Sequence, residues 1–121
     1  MLDFLENQVA SGEGLLIDSR VPVMYQSGSI PGAVNIPFST LNPSNPYRDQ
    51  ILEALGARKS GDSWNFSGAV DLALFCNGPW CDQSPRAIRN LAAVGYPTAK
   101  LRYYRGGMQM WNLLGLTVKK P

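Results

Sequence analysis

A chain of 121 residues, 45% apolar and 17% charged, has the size and composition of one globular domain with a real core, far from disordered composition. Its formal charge of +2 comes from interspersed basic and acidic residues with no Lys/Arg tract, which argues against a nucleic-acid binder. There is no histidine, which removes Ser-His-Asp and Cys-His triads and His-ligated metal sites; two cysteines alone make a poor zinc site.

The N-terminus, Met1-Leu2-Asp3-Phe4-Leu5-Glu6, lacks the basic start and apolar run of a signal peptide. No stretch approaches the ~20 apolar residues that span a bilayer. The expectation is a soluble protein, cytoplasmic by default, or exported if a signal segment has been trimmed. Residues 1–9 place Leu2, Leu5 and Val9 on one helical face, and Ser11-Gly12-Glu13-Gly14 ends that helix. Leu15-Leu16-Ile17-Asp18-Ser19 is a short apolar run of the kind that makes a buried parallel strand. Residues 21–28 hold one short helical turn stopped by Gly28. Ser29-Ile30-Pro31-Gly32 is a turn, and Ala33-Val34-Asn35-Ile36-Pro37 a second strand closed by its proline.

Asn42-Pro43-Ser44-Asn45-Pro46 reads as a loop capping a helix over residues 47–55, which ends at Gly56. Residues 57–68 are polar and bear Gly and Ser, an irregular connection pinned to the body by Trp64 and Phe66. Val70-Asp71-Leu72-Ala73-Leu74-Phe75 is the most convincing central strand. Ser84-Pro85 then opens a helix, Ser84 as N-cap and Pro85 in the first turn, with Ile88, Leu91 and Ala92 as its apolar stripe up to Gly95. Residues 100–104 form a strand, Gly106-Gly107 a turn and residues 108–114 a final short helix. This alternation predicts an α/β fold, a central mostly parallel sheet with helices on both faces, whose ligands bind beyond the carboxyl ends of the strands.

The segment placed there is Phe75-Cys76-Asn77-Gly78-Pro79-Trp80-Cys81-Asp82-Gln83-Ser84-Pro85-Arg86. It joins a strand to a helix, so backbone amides and the helix dipole converge on Cys76 and make a site for an anion. A thiolate is such an anion, and the placement is expected to lower the thiol pKa. The same loop, including Asn77, Asp82, Gln83 and Ser84, would hold a persulfide or the charged oxygens of a sulfur donor. Gly78 allows close backbone approach, Pro79 stiffens the loop and Arg86 adds positive charge at the rim. Against this stands the plain alternative of a small buried hydrophobe closing a strand.

Leu16-Ile17-Asp18-Ser19-Arg20, then Tyr25, Gly28 and Ile30-Pro31-Gly32-Ala33-Val34-Asn35-Ile36-Pro37, closely resemble the N-terminal signature of rhodanese-like domains. That signature usually reads L-I-D-V-R, then E-Y, then G-H-I-P-G-A-x-N-I-P. The strand, Cys76, the helix ending at Gly95, Tyr104-Arg105-Gly106-Gly107, Trp111 and Gly115 resemble the family's C-terminal half. The resemblance implies one three-layer rhodanese-like domain over residues 1–121. It implies a sulfurtransferase, Cys76 taking sulfane sulfur from a small donor such as thiosulfate and passing it to a thiophilic acceptor, a protein thiol among the choices. No metal or cofactor is expected. Ser29 stands where most members have His. The loop after Cys76 is about two residues longer than usual and carries Trp80 and Cys81. The usual first strand is missing, so a domain excised from a longer protein is expected.

Several residues keep more than one reading. Asp18 and Arg20 serve structure near the active face, by an ion pair or loop hydrogen bonds, or contact substrate directly. Gly106 and Gly107 are turn chemistry beside the pocket, and Trp111 is a core residue. Trp80 either packs back onto the body or forms a pocket wall. Cys81 is a resolving thiol, the true nucleophile, or inert. The competing functions are a non-catalytic module for partner binding or redox sensing through Cys76 and Cys81, and a phosphatase or arsenate reductase. The latter two need an arginine at the sixth position after the cysteine, and here that residue is Asp82, which opposes a dianion.

Overall fold

The computed structural model describes residues 4–61 and 63–120. The first half of the chain holds helix α1 (Leu5–Val9, wound as a π-helix), strand β1 (Gly14–Asp18), helix α2 (Pro22–Ser27) and strand β2 (Val34–Asn35). A 3-10 turn (Phe38–Leu41) leads to helix α3 (Arg48–Ala54) and to strands β3 (Arg58–Ser60) and β4 (Ser63–Asn65). Strand β5 (Asp71–Phe75), helix α4 (Gln83–Val94), strand β6 (Leu101–Tyr103) and helix α5 (Gly107–Leu113) complete it.

The two apolar runs lie side by side. Strand β1 pairs with β5 in parallel register from Gly14↔Asp71 to Asp18↔Phe75, and β2 and β6 flank them in the order β2-β1-β5-β6, every pair parallel. Successive side chains of a strand face opposite sides, so each central strand feeds two layers. Leu15, Ile17, Leu72 and Leu74 face a layer built with Leu52 and Leu55 of the α3 region and Leu91 and Tyr96 of the α4 region. Leu16, Ala73 and Phe75 face the other layer, with Phe4, Ile30, Met108 and Trp111. Leu16, Ile17, Leu72 and Leu74 are fully buried, and burial on that scale contributes about 1.5–3 kcal/mol for each. The expected α/β fold with helices on both faces is what the chain adopts.

Three local expectations are corrected. Residues 57–68 are not irregular: β3 and β4 form an antiparallel ribbon, Arg58↔Asn65 to Ser60↔Ser63. Arg58, Lys59 and Ser60 are all exposed, so no apolar alternation betrays the strand. Phe66 does pin this segment, its ring 5.2 Å from that of Tyr96 and 6.2 Å from Trp64. Helix α4 begins at Gln83 with Asp82 at its N-cap and no side-chain cap. Ser84 is therefore inside the first turn, where its hydroxyl serves a neighbouring loop instead of the helix. Asn42 and Asn45 do not cap α3 either, because their side-chain oxygens accept the amides of Ser44 and Tyr47 and close turns within their own loop. Leu5 and Val9 pack on the second layer as expected, while Leu2 lies outside the described residues.

Candidate active site

Cys76 follows the last residue of β5 and is 1% exposed. The Cys81 N–H donates to the Gly78 carbonyl at 3.0 Å, a turn that folds the loop back over the strand end. The Cys76 thiol then meets the Cys81 carbonyl oxygen at 3.7 Å. On its other side lies Ser84, fully buried in the first turn of α4, its hydroxyl in hydrogen-bond contact with the Ser19 hydroxyl at 3.1 Å. Both the backbone N–H and the hydroxyl of Ser84 favour the Cys76 thiolate. They are outweighed. Burial pushes the Cys76 thiol above its ordinary value, and the neighbouring Cys81 thiol pushes it the same way. The expected lowering is thus overturned: the amide cradle exists, but the loss of water around a covered sulfur is the larger effect.

The loop is braced from two directions. Helix α5 begins directly beneath it, and the N–H groups of Met108 and Gln109 donate to the Cys76 and Asn77 carbonyls at 2.9 and 2.8 Å. These are first-turn amides with no partner inside their own helix. Gly107 makes the approach possible. Its φ is +56°, and a Cβ there would stand 2.2 Å from the Cys76 carbonyl oxygen. From the other direction Arg20 Nη1 donates to Asn77 Oδ1 at 3.3 Å. The rest of that guanidinium is held by Asp18, Nε to Oδ1 at 2.9 Å and Nη2 to Oδ2 at 2.7 Å, and by the Gly28 carbonyl at 2.7 Å. Asp18 is fully buried and accepts also from Ser29 Oγ at 2.8 Å. The pair, itself held by buried hydrogen bonds, therefore ties β1 to the loop through the half-buried Asn77, and Ser29 occupies its place in that network with a hydroxyl.

The rim is formed by the longer part of the loop. Trp80 is 67% exposed and lies across Gly78, where a Cβ would come within 2.5 Å of its ring. With Met24, Asn77, Met108, Arg20 and Val118 it walls an open cavity of about 390 Å³, the pocket-wall arrangement of the two considered. Pro79 beside it is exposed, and Gln83 is half-buried. Arg86 pairs with exposed Asp82 at 2.9 Å and covers the Phe38 ring at 5.8 Å, so its charge is already partnered. Gly106 precedes α5 in helical conformation, and Trp111 is buried in the second layer. Two participants escape sequence reasoning. Ser19 reaches Ser84 across 65 positions of chain, and Tyr103 at the end of β6 is held above the ordinary phenol value first by burial and then by the charge of Cys76 and Cys81. No local pattern marks either one; both lie near the loop only because β1, β5 and β6 end at the same edge.

The rhodanese-like domain family matches residues 1–114. The chain belongs to the rhodanese-like domain family. An HTH-type transcriptional regulator of Mycobacterium tuberculosis is 33% identical to it over 108 residues, 89% of this chain and 38% of that protein. The chain thus spans well under half the length of that relative. Among solved structures, the human single-domain sulfurtransferase is 28% identical, with a TM-score of 0.61 over 93% of this chain and 92% of its own. A rhodanese-related protein of Thermoplasma volcanium shares the fold at 23% identity, with a TM-score of 0.64 over 99% of this chain and 94% of its own. Among the described residues no helix is long and apolar enough to cross a membrane.

Proposed function

We propose that the chain is a sulfurtransferase that carries sulfane sulfur as a persulfide on Cys76. The single observation that carries the reading is the setting of that sulfur. It sits at the carboxyl end of β5, against the N–H and hydroxyl of Ser84, in a loop whose carbonyls are held from below by α5. In thiosulfate the Cys76 sulfur attacks the outer sulfur, the S–S bond breaks, and sulfite leaves with the electron pair. A hydropersulfide is a stronger acid than a thiol, so the group so formed is held as an anion and gains from the Ser84 donors as the neutral thiol does not. The acceptor, a cyanide or thiolate, then removes the outer sulfur and restores Cys76. The likeness to a single-domain sulfurtransferase supports the reading. The test is thiosulfate treatment followed by peptide mass spectrometry. A gain of one sulfur atom on the Cys76 peptide, absent from Cys76→Ser, is the expected result, and no gain with several donors would sink the reading.

A second reading is favoured by the closure over Cys76 and by the relative named as a transcriptional regulator. In it the domain registers sulfur or redox state through Cys76 and Cys81 without feeding an acceptor. Steady thiocyanate production with cyanide favours the enzyme, and loading without turnover favours the sensor. Phosphoryl and arsenate chemistry receive no support, since Asp82 stands at the sixth position and is bound to Arg86.

A further inference from the structure

We propose that Cys81 is the resolving thiol for the persulfide on Cys76, so that the loop discharges the sulfane sulfur as sulfide and closes a Cys76–Cys81 disulfide. This rests on the persulfide reading and adds the fate of the sulfur. The argument starts from access. Cys76 is 1% exposed, so a protein thiol cannot reach it without moving the loop, whereas Cys81 is already inside that loop and half-buried. The Gly78–Cys81 turn brings the second cysteine back over the first, its carbonyl 3.7 Å from the Cys76 sulfur, and its thiol is close enough to help hold the Cys76 thiol above its ordinary value. Both cysteines are free thiols.

The loop is also held unevenly. The α5 amides fix the Cys76 and Asn77 carbonyls, while Pro79 and Trp80, between the two sulfurs, are exposed. One cysteine is therefore clamped, and the other sits on a segment that can shift by the small amount a disulfide needs.

The step balances without an added oxidant. The Cys81 sulfur attacks Cys76 Sγ, and the bond from Sγ to the sulfane sulfur breaks. The electron pair leaves with the sulfane sulfur, which takes the proton of the Cys81 thiol and departs as HS⁻. The sulfane sulfur is reduced to sulfide, and the two thiol sulfurs are jointly oxidised to the disulfide. A dithiol reductant reopens the bond and completes a cycle whose net product is sulfide.

The test loads the full chain with thiosulfate, removes the donor and follows intact mass and released sulfide with oxygen excluded. In the wild type the added sulfur is expected to disappear with release of an equivalent of sulfide, leaving a chain lighter by the hydrogens of one disulfide. In Cys81→Ser, and in Cys81→Ala as a second variant, the persulfide is expected to persist about tenfold longer or more, without sulfide release. Equal persulfide lifetimes in the wild type and both variants would overturn the resolving role of Cys81 and leave the persulfide reading standing. No sulfur gain in any of the three would overturn the persulfide reading itself.

Discussion

Cys76 is held between two opposed influences, and their balance fixes how it responds to pH. Burial and the Cys81 thiol raise its pKa, while the Ser84 N–H and hydroxyl lower it. The raising side wins, so the reactive thiolate is scarce below 9.0, the ordinary value, and grows only above it. Alkylation of Cys76 by iodoacetamide is expected to go on accelerating with pH beyond that point. Ser84→Ala removes a lowering contact and moves the profile further alkaline; Cys81→Ala removes a raising one and moves it back. A profile that levels off below 9.0 would contradict the balance. The stability consequence has the matching sign. The folded chain holds this proton more tightly than the unfolded one, so the contribution is intact below 9.0 and is lost as pH rises through the folded pKa. Asp18 is the second residue whose change is decisive. Asp18→Asn leaves the Arg20 guanidinium, 3% exposed, without its counter-charge, a loss of about 3–5 kcal/mol. Ser29→Ala removes one hydrogen bond to the same carboxylate, a loss of about 1.5–3 kcal/mol. Urea unfolding of the two variants should therefore rank Asp18→Asn as the more damaging.

Among the elements, α5 has the least visible task. Its first turn donates to the Cys76 and Asn77 carbonyls, and Gly107 lets it come that close. Gly107→Ala puts a side chain at φ +56° and drives its Cβ into backbone atoms that cannot rotate away. The expected cost is about 2–4 kcal/mol in urea unfolding, together with slower sulfur loading because the loop is displaced. Gly32→Ala is the control: its φ is +87°, but nothing lies within 4 Å of the added Cβ, so its loss should be smaller and loading unchanged. Elements differ sharply in how far they can be read from the chain. Strands β1 and β5 announce themselves because both faces are buried and the residues form continuous apolar runs. Cys76 is legible for the same reason, since it ends such a run. The β3–β4 ribbon is silent because solvent lies over Arg58, Lys59 and Ser60. The pull of α5 on the loop is silent because Cys76 and Met108 are joined only by the parallel crossover through α4 and β6. The direction of the Cys76 pKa is silent on the same account: helix and dipole are local features, whereas burial depends on how the loop through Cys81 folds back over the sulfur.

At the scale of the whole molecule the two layers share one sheet. Leu16 and Ile17, neighbours in β1, point into opposite layers, and so do Ala73 and Leu74 in β5. Stripping either layer would leave one face of both central strands in water, and a parallel sheet is stable only when covered on both sides. The layers should therefore melt together, as is usual for domains under 150 residues. Tryptophans report on each separately. Trp64 packs against the layer of α3 and α4, Trp111 is buried in the layer of α1 and α5, and Trp80 stands exposed on the loop. In Trp80→Phe/Trp111→Phe the fluorescence follows the first layer, and in Trp64→Phe/Trp80→Phe the second. The second pair keeps the hydrogen bond from Trp111 Nε1 to the Thr117 carbonyl, 2.7 Å, and the first loses it, so absolute midpoints will differ between the variants. Within each variant, however, the urea midpoint by fluorescence is expected to coincide with that by far-ultraviolet circular dichroism. Fluorescence of Trp111 moving before the backbone signal would mean that α1 and α5 detach on their own. The brace under Cys76 would then be a separable part, and closure over the sulfur a local equilibrium instead of a property of the fold.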